Sequence, residues 1–158
     1  MKTSRPSSVV VALSGGVDSS LAAALLAEQG WKVTGVHFLL PGADRGLKQE
    51  GAARAADHLG IPLRILDLRE RFEKRVIAPF ETAYLAGRTP SPCVVCNPEV
   101  KFHPLLHVSE TVGAAWIATG HYAAVRTERG EPVLFRGRDR AKEQSYFLHR
   151  LERRHLSR

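Results

Sequence analysis

With 158 residues, 44% of them hydrophobic, the chain is long enough for one α/β domain that buries about two thirds of its unfolded surface. No apolar run approaches the roughly 20 residues of a bilayer-spanning helix, and MKTSRPSS lacks the apolar stretch of a secretory signal. A cytosolic protein is therefore expected, with its two cysteines reactive or metal-binding rather than a staple. The net charge of +7 is concentrated at one end, where residues 126–158 hold ten Lys/Arg against five Asp/Glu. Such an end can serve solubility alone, or face a polyanion such as RNA.

Taken in chain order, Val9 to Leu13 read as a buried strand, being β-branched and uninterrupted. The chain then breaks into Ser14-Gly15-Gly16-Val17-Asp18-Ser19-Ser20. Val17, Leu21, Ala24 and Leu25 follow at helical spacing. Strand, glycine-rich turn and helix together aim backbone N–H groups and the positive end of a helix dipole at an anion. Two glycines admit a phosphate without a Cβ in the way, and the hydroxyls of Ser14, Ser19 and Ser20 add donors. No Lys-Ser/Thr follows, so this is not a Walker A loop, and the third glycine of the dinucleotide fingerprint is missing. SGGVDSS resembles the pyrophosphate loop of the ATP pyrophosphatases, which cleave ATP between the α- and β-phosphates and adenylate an acceptor.

Lys32 to Leu40 is a second strand, residues 41–44 a turn, and Leu47 to Leu59 a helix with Ala52, Ala55, Ala56 and Leu59 inward. Ile61 to Leu68 is a third strand, and Arg69 to Leu85 is mostly helix despite Pro79. Gly87 to Pro98 reads as a loop with three prolines, Val100 to Val112 as a helix, and Ala115 to Thr119 as a strand. Tyr122–Val125 and Val133–Phe135 read as a hairpin. Alternating strands and helices imply a parallel sheet with right-handed crossovers. Ligands of such sheets sit beyond the carboxyl ends of the strands, where Ser14–Ser20 and Thr119-Gly120-His121 both fall. His121 is either a core histidine or a phosphate or ribose neighbour. Trp31 and Trp116 read as packing residues, and Tyr146, Phe147 and Leu148 as helix anchors rather than base-stacking rings.

In Gly87–Asn97, prolines 90 and 92 stiffen an extended segment. Cys96 then stands just before a helix with Asn97 as its N-cap, a place that lowers a thiol's pKa. Half a zinc site is a weak reading of Cys93-x-x-Cys96, since no second such pair exists. A reactive thiol or a labile metal-ligand pair is the better one.

Four blocks, SGGVDSS, GRTPSPCVVCNPEVKF at 87–102, ATGHYA at 118–123 and KEQSYFL at 142–148, resemble in order and spacing the bacterial tRNA-specific 2-thiouridylases. The resemblance implies a parallel-sheet, three-layer α/β domain of the adenine nucleotide alpha hydrolase-like (HUP, Rossmann-like) class. It also implies ATP and Mg²⁺ as cofactors, tRNA as substrate, and a persulfide sulfur-donor protein as partner. In the family the C2 oxygen of a wobble uridine is adenylated, then sulfur from a cysteine persulfide displaces AMP.

Residue by residue, Ala12, Leu13, Ser14, Gly15, Gly16, Val17, Asp18 and Ser19 match the ATP loop. Phe38 matches the adenine site and Gly120 an ATP contact, and Asp18 is implied near the pyrophosphate and Mg²⁺. Ser91, Pro92 and Cys93 match the tripeptide beside the target base, and Cys96 the catalytic cysteine. Lys142, Glu143 and Gln144 match a tRNA-contacting segment, with Glu143 where Asp is usual. Cys93 stands where many members have Asp, which opens an iron–sulfur cluster on Cys93 and Cys96. Family members continue through a central domain and a β-barrel, so residues 1–158 are expected to be the ATP-binding catalytic domain of a longer enzyme, or a shortened relative that needs a partner. Alternatives are another ATP pyrophosphatase with a different acceptor, or a non-catalytic nucleotide- and tRNA-binding remnant.

Overall fold

The computed structural model describes residues 7–42 and 45–158; the second half of the expected 41–44 turn lies outside the described residues. The strands are β1 Ser8–Ala12, β2 Lys32–Leu39, β3 Leu63–Asp67, β4 Trp116–Ala118, β5 Ala123–Glu128 and β6 Glu131–Arg136. The helices are α1 Val17–Glu28, α2 Arg45–His58, α3 Arg69–Phe72, α4 Ala78–Leu85, α5 Pro92–Cys96, α6 His103–Thr111, α7 Ser145–Leu148 and α8 Arg153–Leu156. The chain forms two compact units, one of residues 1–67 with 105–120, the other of 68–104 with 121–158. Among the described residues no helix is long and apolar enough to cross a membrane.

The first unit is a parallel sheet in the order β3-β2-β1-β4. A strand buried on both faces sends alternate side chains to opposite layers. Val9, Val11 and Leu13 accordingly pack with Ala23 of α1 and with Ala52 and Ala56 of α2. Val10 and Val36 pack instead with Leu105 and Val108 of α6. This is the three-layer α/β/α arrangement expected. Connections run outward from β1 through β2 to β3, then return to β4 on the other side of β1. The order thus reverses at β1, which places the crevice for a ligand at the carboxyl ends of β1 and β4.

The helical spacing of Val17, Leu21, Ala24 and Leu25 falls in α1 as expected, but these residues do not form its buried face. Val17 is 81% exposed, Leu21 54% and Leu25 47%, whereas Ser19 and Ala23 are buried and Leu26 and Ala27 pack on the core. The start of α1 lies so close to neighbouring backbone that only small side chains fit inward. The inward stripe of α2 holds, with Ala52 and Ala56 buried and Leu59 packed beside them. Trp31 packs on the same core, but Trp116 is 45% exposed.

The second unit holds the expected loop of prolines, and there the sequence reading fails. The loop ends at Ser91, and the chain is helical without a break from Pro92 to Thr111, through α5, a π-helical stretch Asn97–Phe102, and α6. Arg69 to Leu85 is likewise α3, a π-helical stretch Glu73–Ile77, and α4. A proline inside a helix collides with the carbonyl four residues back and lacks the N–H that would bind it. For Pro79 that carbonyl is Arg75's and for Pro104 it is Val100's, and each lies within a π-helical stretch, whose wider turn makes room. The hairpin β5–β6 is longer than expected, turning at Arg129 and Gly130, whose φ angles of 51° and 82° match the twist of the strands.

Candidate functional site

In the first unit the loop after β1 is built from backbone and three serine hydroxyls. The Ser19 hydroxyl donates to the Gly16 carbonyl at 3.1 Å, accepts the Ser14 N–H at 3.1 Å and lies 3.0 Å from the Ser14 hydroxyl. The Ser20 hydroxyl also donates to Gly16, at 3.0 Å. In this structure the three hydroxyls brace the turn itself. The first bond inside α1 runs from the Ser20 N–H to the Gly16 carbonyl. The N–H groups ahead of it, as at any helix start, have no acceptor within the helix and carry the positive end of its dipole.

The glycines of this loop differ in what they permit. At Gly15, φ is +83° and a Cβ would stand 2.2 Å from the Lys48 carbonyl oxygen of α2. A Cβ on Gly120 would stand 2.7 Å from the Ser19 nitrogen. Both are demanded by close backbone packing whatever binds. Gly16 has φ −98° and ψ 167°, and a Cβ there would find only the Ser14 hydroxyl, at 3.5 Å. Gly16 is thus the glycine whose absence of a side chain the fold does not require.

Ala12 and Leu13 lead into the loop from β1, Leu13 being 1% exposed. Val17 and Asp18 are exposed in the first turn of α1. Phe38, half-buried near the end of β2, packs on the α6 side of the sheet. Beside it His37, which the sequence reading passed over, is 4% exposed and its Nδ1 lies 2.7 Å from the Leu13 carbonyl. That bond ties the entrance of the loop to β2. A polar residue at an inward position of an apolar strand was the available signal.

In the second unit Ser91 is the N-cap of α5, with φ −100° and ψ 99°, and Pro92 its first residue. Cys93 is exposed in the first turn, whereas Cys96 ends α5 and is 8% exposed. Burial raises the Cys96 thiol pKa, and the ammonium of Lys101 pulls against that rise. Cys96 is therefore not the helix-start thiol expected, and it is Cys93 that stands in the first turn. Nor is Asn97 an N-cap. It sits in helical backbone, 2% exposed, and its Nδ2 donates to the Phe147 carbonyl at 3.0 Å.

Lys142, Glu143 and Gln144 fold onto their own unit. Gln144 and Tyr122 exchange two bonds, Gln144 N–H to the Tyr122 carbonyl at 2.9 Å and Tyr122 N–H to Gln144 Oε1 at 3.1 Å. Lys142 Nζ lies 5.0 Å above the Tyr122 ring. The Glu143 carboxylate accepts the Ser145 N–H at 2.6 Å, and the bonds to Ser145 hold its pKa below the usual carboxylate range. The His121 ring lies tilted against Phe102 with centres 5.8 Å apart, and burial, aided by the Lys101 charge, pulls its pKa down to about 4. It is a neutral histidine, without a charge to offer a phosphate at neutral pH. Of Tyr146, Phe147 and Leu148, only Leu148 is buried and anchors α7, while Tyr146 is 62% and Phe147 36% exposed.

Metal-competent groups are few among the described residues. Among the described residues, no third His, Cys, Asp or Glu donor gathers with Cys93 and Cys96, whereas a cluster is commonly held by three or four ligands. His103, Glu152 and His155 do bring donor atoms within 4.8 Å of one another. However, His155 Nδ1 accepts the Glu152 N–H at 3.1 Å in a capping box for α8, which puts the ring proton on Nε2. Arg154 also sets its guanidinium 2.8 Å from His103 Nε2. A capped helix end with an arginine across it opposes a cation.

Residues 7–158 match the family described as the tRNA methyl transferase HUP domain. The tRNA-specific 2-thiouridylase MnmA of Sorangium cellulosum is 51% identical over 98% of this chain and 43% of its own length. That of Syntrophotalea carbinolica is 46% identical over 95% of this chain and 44% of its own. The chain thus spans less than half the length of these relatives. Glutamine-dependent NAD+ synthetase from Acinetobacter baumannii, solved with adenosine diphosphate, is 20% identical, with a TM-score of 0.50 over 70% of this chain and 21% of its own. That likeness concerns the fold, and it agrees with the three-layer sheet. The chain belongs to the tRNA methyl transferase HUP-domain family and, within it, to the tRNA-specific 2-thiouridylases, MnmA.

Proposed function

We propose that this chain binds ATP and a tRNA and activates a wobble uridine for 2-thiolation. What carries the reading is the family match over residues 7–158 together with SGGVDSS at the sheet's switch point. On this reading the Ser14–Ser19 loop receives the phosphates, with Ala12 and Leu13 behind it, Phe38 toward the adenine and Gly120 beside the helix start. Mg²⁺ arriving with the nucleotide would take Asp18 as an oxygen ligand and help neutralise the departing pyrophosphate.

A carbonyl oxygen is a poor leaving group. Attack of the uridine C2 oxygen on the α-phosphorus, with loss of pyrophosphate, converts it to AMP. A persulfide sulfur then adds at C2 and AMP departs, leaving C2 joined to a cysteine through two sulfurs. A second thiol attacks the cysteine-side sulfur, so the disulfide forms between the two cysteines and C2 keeps the terminal sulfur. Cys96 is one of those thiols. The other, and the persulfide itself, come from a donor protein or from sequence outside residues 1–158. Ser91, Pro92 and Cys93 border the base, and Lys142, Glu143 and Gln144 shape the surface that meets the tRNA.

The test is tRNA-dependent release of pyrophosphate from ATP. Release that requires tRNA, and stops when the wobble uridine is replaced by cytidine, supports the reading. Pyrophosphate release driven by a small carboxylic acid and indifferent to tRNA would instead support a different ATP pyrophosphatase.

A further inference from the structure

Around α7 the second unit presents three exposed rings within four residues. Tyr146 meets Phe147 edge-on at 5.7 Å and the His149 ring at 5.5 Å. The backbone that carries the group is anchored from below. Leu148 is 3% exposed and anchors the turn, His149 Nδ1 lies 2.6 Å from the Tyr146 carbonyl, and Asn97 donates to the Phe147 carbonyl. Asn97 adjoins Cys96, so α7 is fastened to the helix that carries both cysteines. Nearby in sequence, Arg138, Arg140 and Arg150 are exposed, and no ion pair among the described residues neutralises them. Exposed aromatic faces within a positive segment suit single-stranded nucleic acid, in which unpaired bases stack on rings while cations follow the phosphates.

We propose that Tyr146, buttressed by Phe147 and His149, is a stacking platform for one unpaired base of an RNA loop, beside the Cys93–Cys96 helix. This rests on the reading that the chain binds RNA and adds the residue that selects an unpaired base. A base inside a duplex is closed to chemistry at its edge, so an enzyme that modifies one must hold it or its neighbour out of the stack. A platform fixed to the cysteine helix meets that need.

The experiment measures binding of the 158-residue chain to a hairpin with a seven-nucleotide loop and to a blunt RNA duplex of equal charge, across a series of salt concentrations. Stacking contributes about 1–3 kcal/mol per base, which is roughly 5- to 150-fold in affinity. Tyr146→Leu, which keeps apolar bulk at an exposed site, should weaken hairpin binding at least 5-fold and leave the salt slope and duplex binding unchanged. Tyr146→Phe should bind as the parent does. Arg138→Gln with Arg140→Gln should instead flatten the salt slope on both RNAs. In the parent chain, 5-iodouridine in the loop should photocrosslink to the 146–149 peptide. An unchanged hairpin affinity in Tyr146→Leu, or an equal loss on the duplex, overturns the platform and leaves the RNA reading standing. A parent chain that binds neither RNA overturns both.

Discussion

Two glycines side by side in the loop after β1 separate folding from ligand binding. Gly15 is pinned by the Lys48 carbonyl and a positive φ, so Gly15→Ala should lower the denaturation midpoint clearly. Gly16 is the N-cap of α1, in ordinary extended backbone with open space, so in Gly16→Ala the entropy gained and the cap preference lost oppose each other and stability should change by no more than about 1 kcal/mol. If a phosphate sits against it, ATP affinity measured by calorimetry should fall at least tenfold, about 1.4 kcal/mol. Unchanged affinity would remove Gly16 from the phosphate site. A second pair of residues sets thiol chemistry. Lys101 lowers the Cys96 pKa against the rise that burial imposes, so removing its charge must raise it further. In a Cys93→Ser background Cys96 is the sole thiol. Lys101→Met should then shift the midpoint of iodoacetamide alkylation against pH upward, and Lys101→Arg should restore it. A midpoint that does not move would show that the lysine acts on Cys96 only through packing.

Elements were legible where one signal dominated. Val9–Val11 followed by two glycines announced β1, the loop and α1 within a residue or so, because an unbroken β-branched run has few other uses. The alanine stripe of α2 was equally readable. The prolines misled, since Pro92 and Pro98 look like loop residues while one opens a helix and the other is absorbed by a π-helical stretch. No local pattern marks a π turn. The buried face of α1 was not legible either, because the close approach at Ser19 comes from Gly120, about 100 residues away in sequence. For the same reason nothing local showed that Asn97 reaches α7. Asn97→Ala should strip the Phe147 carbonyl of its donor, at about 1–3 kcal/mol. Hydrogen–deuterium exchange should then quicken in α7 and stay slow in β1. Uniform quickening across both would mean Asn97 supports the whole fold and not that junction.

At the scale of the molecule, one half-buried histidine couples the stability of the fold to acid. His121 is neutral in the fold with a pKa near 4, against about 6.5 when unfolded. Its contribution is therefore complete above pH 6.5, declines as the pH falls from 6.5 toward 4, and is exhausted below that. Two and a half pH units correspond to about 3 kcal/mol. Denaturant midpoints measured from pH 7 to pH 4 should trace this loss, and His121→Gln should flatten it. An acid limb of the same depth in the variant would assign the effect to other groups.

The pairing of β1 with β4 also has a consequence on the ribosome. Val9 meets Trp116, so one edge of the central strand stays open until more than a hundred further residues have been made. At roughly 5–20 residues per second that is about 5–20 seconds during which an apolar, β-branched edge lacks its neighbour. A nascent chain arrested before β4 should accordingly bind trigger-type chaperones, and release them once Trp116–Ala118 has emerged.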